Sequence, residues 1–192
     1  IEGEPLADRG DSELWRHSRL RWLNSTLGIS DMPTQPYASM TVSKNEVGCL
    51  GRTVSIDEPT GLPGQIEAWN TEILESPVKF IIRTTEGDKE LKGSALLTEQ
   101  TNGHVSRSWK AEDNDLIVTC RSVMEFDGWM NYVYTLTPKK TVEVEDIRLE
   151  IPVKAEVGSF FLGAGLPGQE TPQQYNGKWD AAERKVEEPG IS

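Results

Sequence analysis

The stretch that most restricts the fold is Leu116 to Leu136. Leu116 to Glu125 and Trp129 to Leu136 each alternate apolar and polar residues, with Asp127-Gly128 between them. A period of two sends successive side chains to opposite faces of a strand, and Asp-Gly accepts the left-handed backbone of a tight hairpin turn. The spacing predicts an antiparallel β-hairpin. The same period runs through Thr53 to Ile56, Gln65 to Trp69, Val78 to Thr84, Ser94 to Thr98 and Val105 to Trp109. Turn signals separate these runs: Gly61-Leu62-Pro63-Gly64, Glu86-Gly87-Asp88, Asn102-Gly103 and Asp113-Asn114. A further run, Ile147 to Val153, also alternates and so has one wet face. Strands follow strands with no helix between them, which selects antiparallel sheets over a doubly wound fold. The expected fold is all-β, an antiparallel β-sandwich with one N-terminal α-helix.

That helix is expected ahead of Gly28. Asp11 or Ser12 supplies the cap, Glu13 places negative charge in the first turn, and Gly28 stops the helix after Leu27. Trp15 and Trp22 lie one heptad apart, with Leu20, Leu23 and Leu27 at helical spacing beside them. After Val157 the alternation fades. Phe160 to Leu162 is a short apolar run, Gly163 to Tyr175 is rich in Gly, Pro and Gln, and the tail from Lys178 to Ser192 is charged. The organisation expected is a helical segment over 1–30, a β-sandwich over 31–157, and a loop and linker over 158–192 that leads toward a further domain.

Composition narrows the classes of function. The 192 residues hold 20 basic and 31 acidic side chains, a net charge of −11. Such a surface repels phosphate backbones, which argues against nucleic acid as a partner. The longest apolar runs are a few residues, far short of the roughly 20 that a membrane-spanning helix needs, so no membrane span is expected. Cys49 and Cys120 are too few for a disulfide framework and too far apart for a metal knuckle. They read as two buried small apolar residues or as a single inter-strand bridge.

No motif for catalysis stands out. Gly163-Ala164-Gly165-Leu166-Pro167-Gly168 matches G-x-G-x-x-G in letters, but Pro167 and Pro172 interrupt the helix that would hold a pyrophosphate. His17 and His104 are the two histidines, and neither sits in a metalloprotease or nucleophile-elbow pattern. Asp113-Asn114-Asp115 lacks the offsets of a calcium loop, so neither a cofactor nor a metal is expected. Acidic pairs such as Glu125 and Asp127 satisfy the residue types of glycoside hydrolysis, yet an acidic chain produces such pairs by chance.

The aromatics carry more information. Six of the residues are Trp. Trp129, Tyr132 and Tyr134 share one ribbon, with Trp129 on the face opposite the two tyrosines. Trp69 and Trp109 end other strands. Flat rings with Asp, Asn and Glu nearby suit the apolar face and hydroxyl rim of a sugar. Trp129, Tyr132, Tyr134, Trp69 and Trp109 are therefore the candidate carbohydrate-binding residues, against the plainer reading that they fill the core.

Three sets of segments, in their order and spacing, resemble a known family. They are Leu14-Trp15-Arg16 followed by Arg21 to Gly28; Gly51-Arg52-Thr53 leading to Gly61-Leu62-Pro63; and Phe161 to Gly165 followed by Lys178-Trp179-Asp180. They are similar to large, mostly uncharacterised bacterial glycoside hydrolase-like proteins. In these, a region akin to the galactose-mutarotase-like supersandwich precedes a (β/α)-barrel that would hold the catalytic carboxylates. The resemblance implies that this chain alone is not catalytic and that its parent protein is a glycoside hydrolase. It also implies an adjacent catalytic barrel domain as partner, carbohydrate as the ligand class, and a secreted, periplasmic or cell-surface location. Two other readings stand beside it: an autonomous carbohydrate-binding module, and a small enzyme of mutarotase or lyase type using Glu125, Asp127 or His104.

Overall fold

The computed structural model describes residues 28–163, 166–176, 179–180, 185–186 and 190–191, together with Gly3, Glu4, Asp11, Trp15, Ser25 and Thr26. The expected N-terminal helix lies almost wholly outside these residues, and no α-helix occurs among those described.

Strands β1 (Thr41–Ser43), β2 (Glu46–Cys49), β3 (Arg52–Ile56), β4 (Pro63–Ala68) and β5 (Thr71–Glu72) form an antiparallel meander. The chain then makes the hairpin β6 (Lys79–Thr84) and β7 (Gly87–Lys89). Next come β8 (Ser94–Gln100), β9 (His104–Glu112), β10 (Leu116–Glu125) and β11 (Met130–Pro138), which lie side by side in a four-stranded sheet. Finally β12 (Val144–Glu150) returns to pair with β6, giving the order β12-β6-β7. The hairpin expected around Asp127-Gly128 is β10–β11, in register from Leu116 opposite Pro138 to Met124 opposite Met130.

Alternation explains why these strands stack in two layers. In β9, Val105, Arg107, Trp109 and Ala111 are buried, and the residues between them are more exposed. Cys120 of β10 lies opposite both Trp109 and Tyr134, so Val118, Cys120 and Met124 extend the same inner face. One end of that face packs with Met40, Val47 and Val54 of the meander, joined by Val105 and Met124. The other end packs with Ile82 of β6, joined by Trp109, Leu116, Val118 and Cys120. Leu62, Leu74 and Val78 fill the seam between, with Phe80, Tyr132 and Tyr134 around them. The meander and the β12-β6-β7 sheet therefore share one layer. Leu74 bridges Val153, the amide of Glu75 donates to the carbonyl of Pro152 (2.9 Å), and that of Lys154 to Ile73 (2.9 Å), which stitches them together.

Past Val157, where alternation fades, the backbone still pairs. β13 (Phe160–Gly163) and β14 (Leu166–Glu170) form an irregular antiparallel ladder. The G-x-G-x-x-G letters span the end of β13, its connection and the start of β14, where Gly163 pairs with Leu166 and no helix follows among the described residues. Two-residue ladders join Tyr175–Asn176 to Gly190–Ile191 and Trp179–Asp180 to Lys185–Val186. Cys49 and Cys120 are free thiols in different parts of the core, Cys120 buried and Cys49 partly so.

Candidate functional site

The five candidate aromatics divide into two groups. Trp109 is only 7% exposed, and its indole Nε1 donates to the carbonyl of Pro59 at 2.9 Å. Tyr132 and Tyr134 point inward, and Tyr134 stacks on Phe80 with ring centroids 4.0 Å apart. These three are part of the core wall. Trp69 and Trp129, by contrast, are 73% and 53% exposed.

Both exposed indoles belong to turns that meet on Arg52. Trp69 and Asn70 form the two-residue connection of β4 to β5, and both have positive φ, 50° and 65°. A two-residue hairpin with both central residues left-handed normally carries Asn-Gly, and a bulky residue there is an outlier. The Trp69 amide donates to the carbonyl of Gly51 at 2.8 Å. Its ring lies over Gly51, in the β2–β3 turn, with ring carbons 2.5 Å from where a Cβ would stand. Arg52 follows directly. Its Nη1 donates to the carbonyl of Asp127, and Gly128 leaves the space that the guanidinium crosses. The Asp127 carboxylate accepts from the Trp129 amide at 2.8 Å, which fixes the start of β11.

Arg52 makes no ion pair with a carboxylate among the described residues. Burial pushes the Cys49 thiol up, while Arg52 beside it pulls the other way. The candidate list from sequence lacked Arg52, although Gly51-Arg52-Thr53 was one of the segments that carry the resemblance. What marks Arg52 is its position between two turns distant in sequence, which no local pattern encodes.

Of the acid–base trio, His104 and Glu125 come together and Asp127 lies apart from them. His104 lies opposite Glu125 in the β9–β10 ladder, beside an open cleft of about 340 Å³ lined by Ser30, Asp31, Ser106 and Phe126. Its Nδ1 is 3.0 Å from Asp31 Oδ1 and its Nε2 is 3.3 Å from Glu99 Oε2. Burial disfavours the imidazolium, but the bonds to Glu99 and Asp31 outweigh it and raise the pKa. Both ring nitrogens are thus engaged by carboxylates. Asp127 is turned to Trp129 and Arg52 instead. Among the described residues, no three of His, Cys, Asp and Glu are grouped to hold a metal ion. No helix among them is long and apolar enough to cross a membrane.

Fold and site together define an all-β module that presents two exposed indoles at turns linked through Arg52. Residues 40–190 match the model of a family described as glycoside hydrolase 123, third domain, and the chain belongs to that family. Such a match fits a non-catalytic module of a glycoside hydrolase. No curated protein matches the chain.

Proposed function

We propose that this chain is a supporting, non-catalytic module of a larger exported glycoside hydrolase, and that its β12 edge packs against another domain of the same polypeptide. The observation that carries this reading is an apolar strip that none of the described residues covers. Ile147 lies opposite the buried Ile82, and Leu149 opposite Phe80, so both stand on the core-facing side of the layer. Yet Ile147, Leu149, Ile151 and Val153 are all about half exposed. The opposite face of the same strands is mostly polar, with Arg148 reaching Asp88, Asp146 and Glu150 and lying opposite the buried Ile81. The strip continues past Val153 into an open cleft of about 600 Å³ shared with Phe160, and Phe160 and Leu162 beyond it are among the most exposed apolar side chains.

A contiguous apolar surface of this kind marks an interaction site. The family's description as a third domain supports an occupant from the same polypeptide, since a third domain has companions. Catalysis then belongs to a companion, and the location outside the cytoplasm follows the habit of enzymes that act on polymeric glycans.

Hydrogen exchange tests the reading. Residues 144–153 would be compared in this chain and in the longest protein encoded by its reading frame. Strong protection of this strand only in the longer protein is expected. Equal exchange in both, or hydrolysis of a glycan by this chain by itself, would overturn it.

A further inference from the structure

Two exposed indoles, Trp69 and Trp129, whose turns are joined through Arg52, call for an explanation that support of a neighbouring domain does not give. Trp69 holds a left-handed backbone that bulky residues avoid, at a position where Asn or Gly would fit without strain. Strained residues persist where the surroundings fix them, and they gather at functional sites. The surroundings here are built for the ring. Gly51, at φ +66°, clears the space beneath it, and the Trp69 amide is tied to the Gly51 carbonyl. The ring is nonetheless 73% exposed, so the arrangement displays an indole rather than burying one.

We infer that Trp69, Arg52 and Trp129 form a contact site for a neutral glycan. The indoles offer flat apolar faces to the C–H side of a pyranose. Arg52 carries five N–H donors in a fixed fork, and the carbonyl of Asp127 occupies part of that fork. The remaining donors, the second carboxylate oxygen of Asp127 and the amide of Asn70 supply partners for hydroxyls. Neutrality follows from charge. Asp127 stands beside Arg52, and the chain as a whole carries −11. That field raises the free energy of an approaching uronate or sulfated sugar. The inference uses no residue of the β12 edge, so the two readings stand or fall separately.

The test is a titration of the chain, followed through its indole N–H signals. The probes are three neutral hexasaccharides: a β-1,4-glucan, a β-1,4-linked N-acetylglucosamine oligomer and a β-1,4-galactan. A hexagalacturonate is the acidic counterpart. At least one neutral probe is expected to shift the Trp69 and Trp129 signals and leave that of Trp109 in place. Trp69→Ala and Trp129→Ala should each weaken binding about tenfold. Trp69→Asn is the second variant, because Asn accepts the left-handed turn. It should fold at least as well as wild type and still lose about tenfold in affinity. The inference is overturned if no neutral probe moves the two signals, if binding is equal in wild type and all three variants, or if the galacturonate binds more tightly than every neutral probe.

Discussion

Phe80 and Tyr134 stack across the two layers of the sandwich, their ring planes only 5° apart. Tyr134 brings a hydroxyl into this contact that is buried and makes no hydrogen bond of good geometry. Burial, with the Cys120 thiol opposite, pushes that phenol far above its usual range. An unsatisfied buried hydroxyl costs about 1–3 kcal/mol. Tyr134→Phe keeps the stack and removes the cost, so it should stabilise the chain by about 1 kcal/mol in urea unfolding. Tyr134→Ala should cost about 3–5 kcal/mol, as large aromatic truncations do. A Phe variant less stable than wild type would mean the hydroxyl has a partner.

Gly51→Ala should destabilise by about 1–3 kcal/mol, from the left-handed φ and from a Cβ placed 2.5 Å from ring carbons of Trp69. The two parts separate in a double-mutant cycle. In a Trp69→Gly background the steric part vanishes and only the backbone part remains. Equal losses in both backgrounds would show that the ring does not occupy this place in solution.

Among the described residues, Arg107 is a buried cation whose Nε has no partner and whose Nη2 reaches only the carbonyl of Lys44, at 3.4 Å. Burial lowers its pKa, opposed by Tyr132. Replacing a poorly satisfied buried charge with an apolar side chain of like volume is often neutral or stabilising. Arg107→Met should therefore retain the fold with unchanged or higher thermal stability. A large loss would assign Arg107 a structural role that its contacts do not reveal.

Acid should weaken the β7–β10 corner. Burial would raise the Asp113 pKa, but the amides of Asp115 and Leu116, each at 2.8 Å, and Lys89 bring it down to about 2. Lys89, held by Asp115 and Asp113, is raised to about 12. A carboxyl whose folded pKa is depressed stabilises the fold above its ordinary value near 3.8, and that contribution is lost as pH falls toward about 2. The lysine's share holds below about 10.5 and disappears only as pH rises through about 12. The urea midpoint should thus decline from about pH 5 downward, and Lys89→Gln should flatten that decline. Superimposable acid limbs for the two proteins would refute the assignment.

The segment ahead of β1 should be held more firmly in mild acid. His104 couples it to the β8–β9 hairpin through Asp31, with Glu99 on its other nitrogen and Glu125 across the ladder. The raised imidazole pKa means this tie is complete below about 6.5 and is lost as pH rises through the folded value. Proteolysis within residues 28–40 should be slower at about pH 5.5 than at pH 8. His104→Gln should abolish the difference. A pH effect that survives in the variant would place the switch elsewhere.

Much of this architecture was legible as a pattern. Leu116 to Leu136 predicts the β10–β11 hairpin because a period of two and Asp-Gly are local properties of the chain. The strand at Ile147 was also visible, though the observed β12 begins earlier, at Val144, and ends at Glu150. The pairing beyond Phe160 was not visible, because β14 contains Pro and Gly and lacks alternation.

The candidate aromatics show the boundary most clearly. Sequence places Trp129 on one face of its ribbon and Tyr132 and Tyr134 on the other, but it cannot say which face meets a second layer. That is decided by Phe80, Leu62 and Leu74, which arrive from segments far away in sequence and cover the tyrosines. Likewise Trp109 and Trp69 both follow strand-like runs, and packing across the layers buries one and leaves the other in solvent.

Local alternation and turn chemistry by themselves determined that this chain forms antiparallel strands and where many of them turn. Tertiary structure alone decided which aromatic rings face water, and that Arg52 links the turn of Trp69 to the turn of Trp129. The physical reason is that backbone geometry fixes the direction of a side chain relative to its neighbours in sequence, whereas burial depends on which distant surface packs against it.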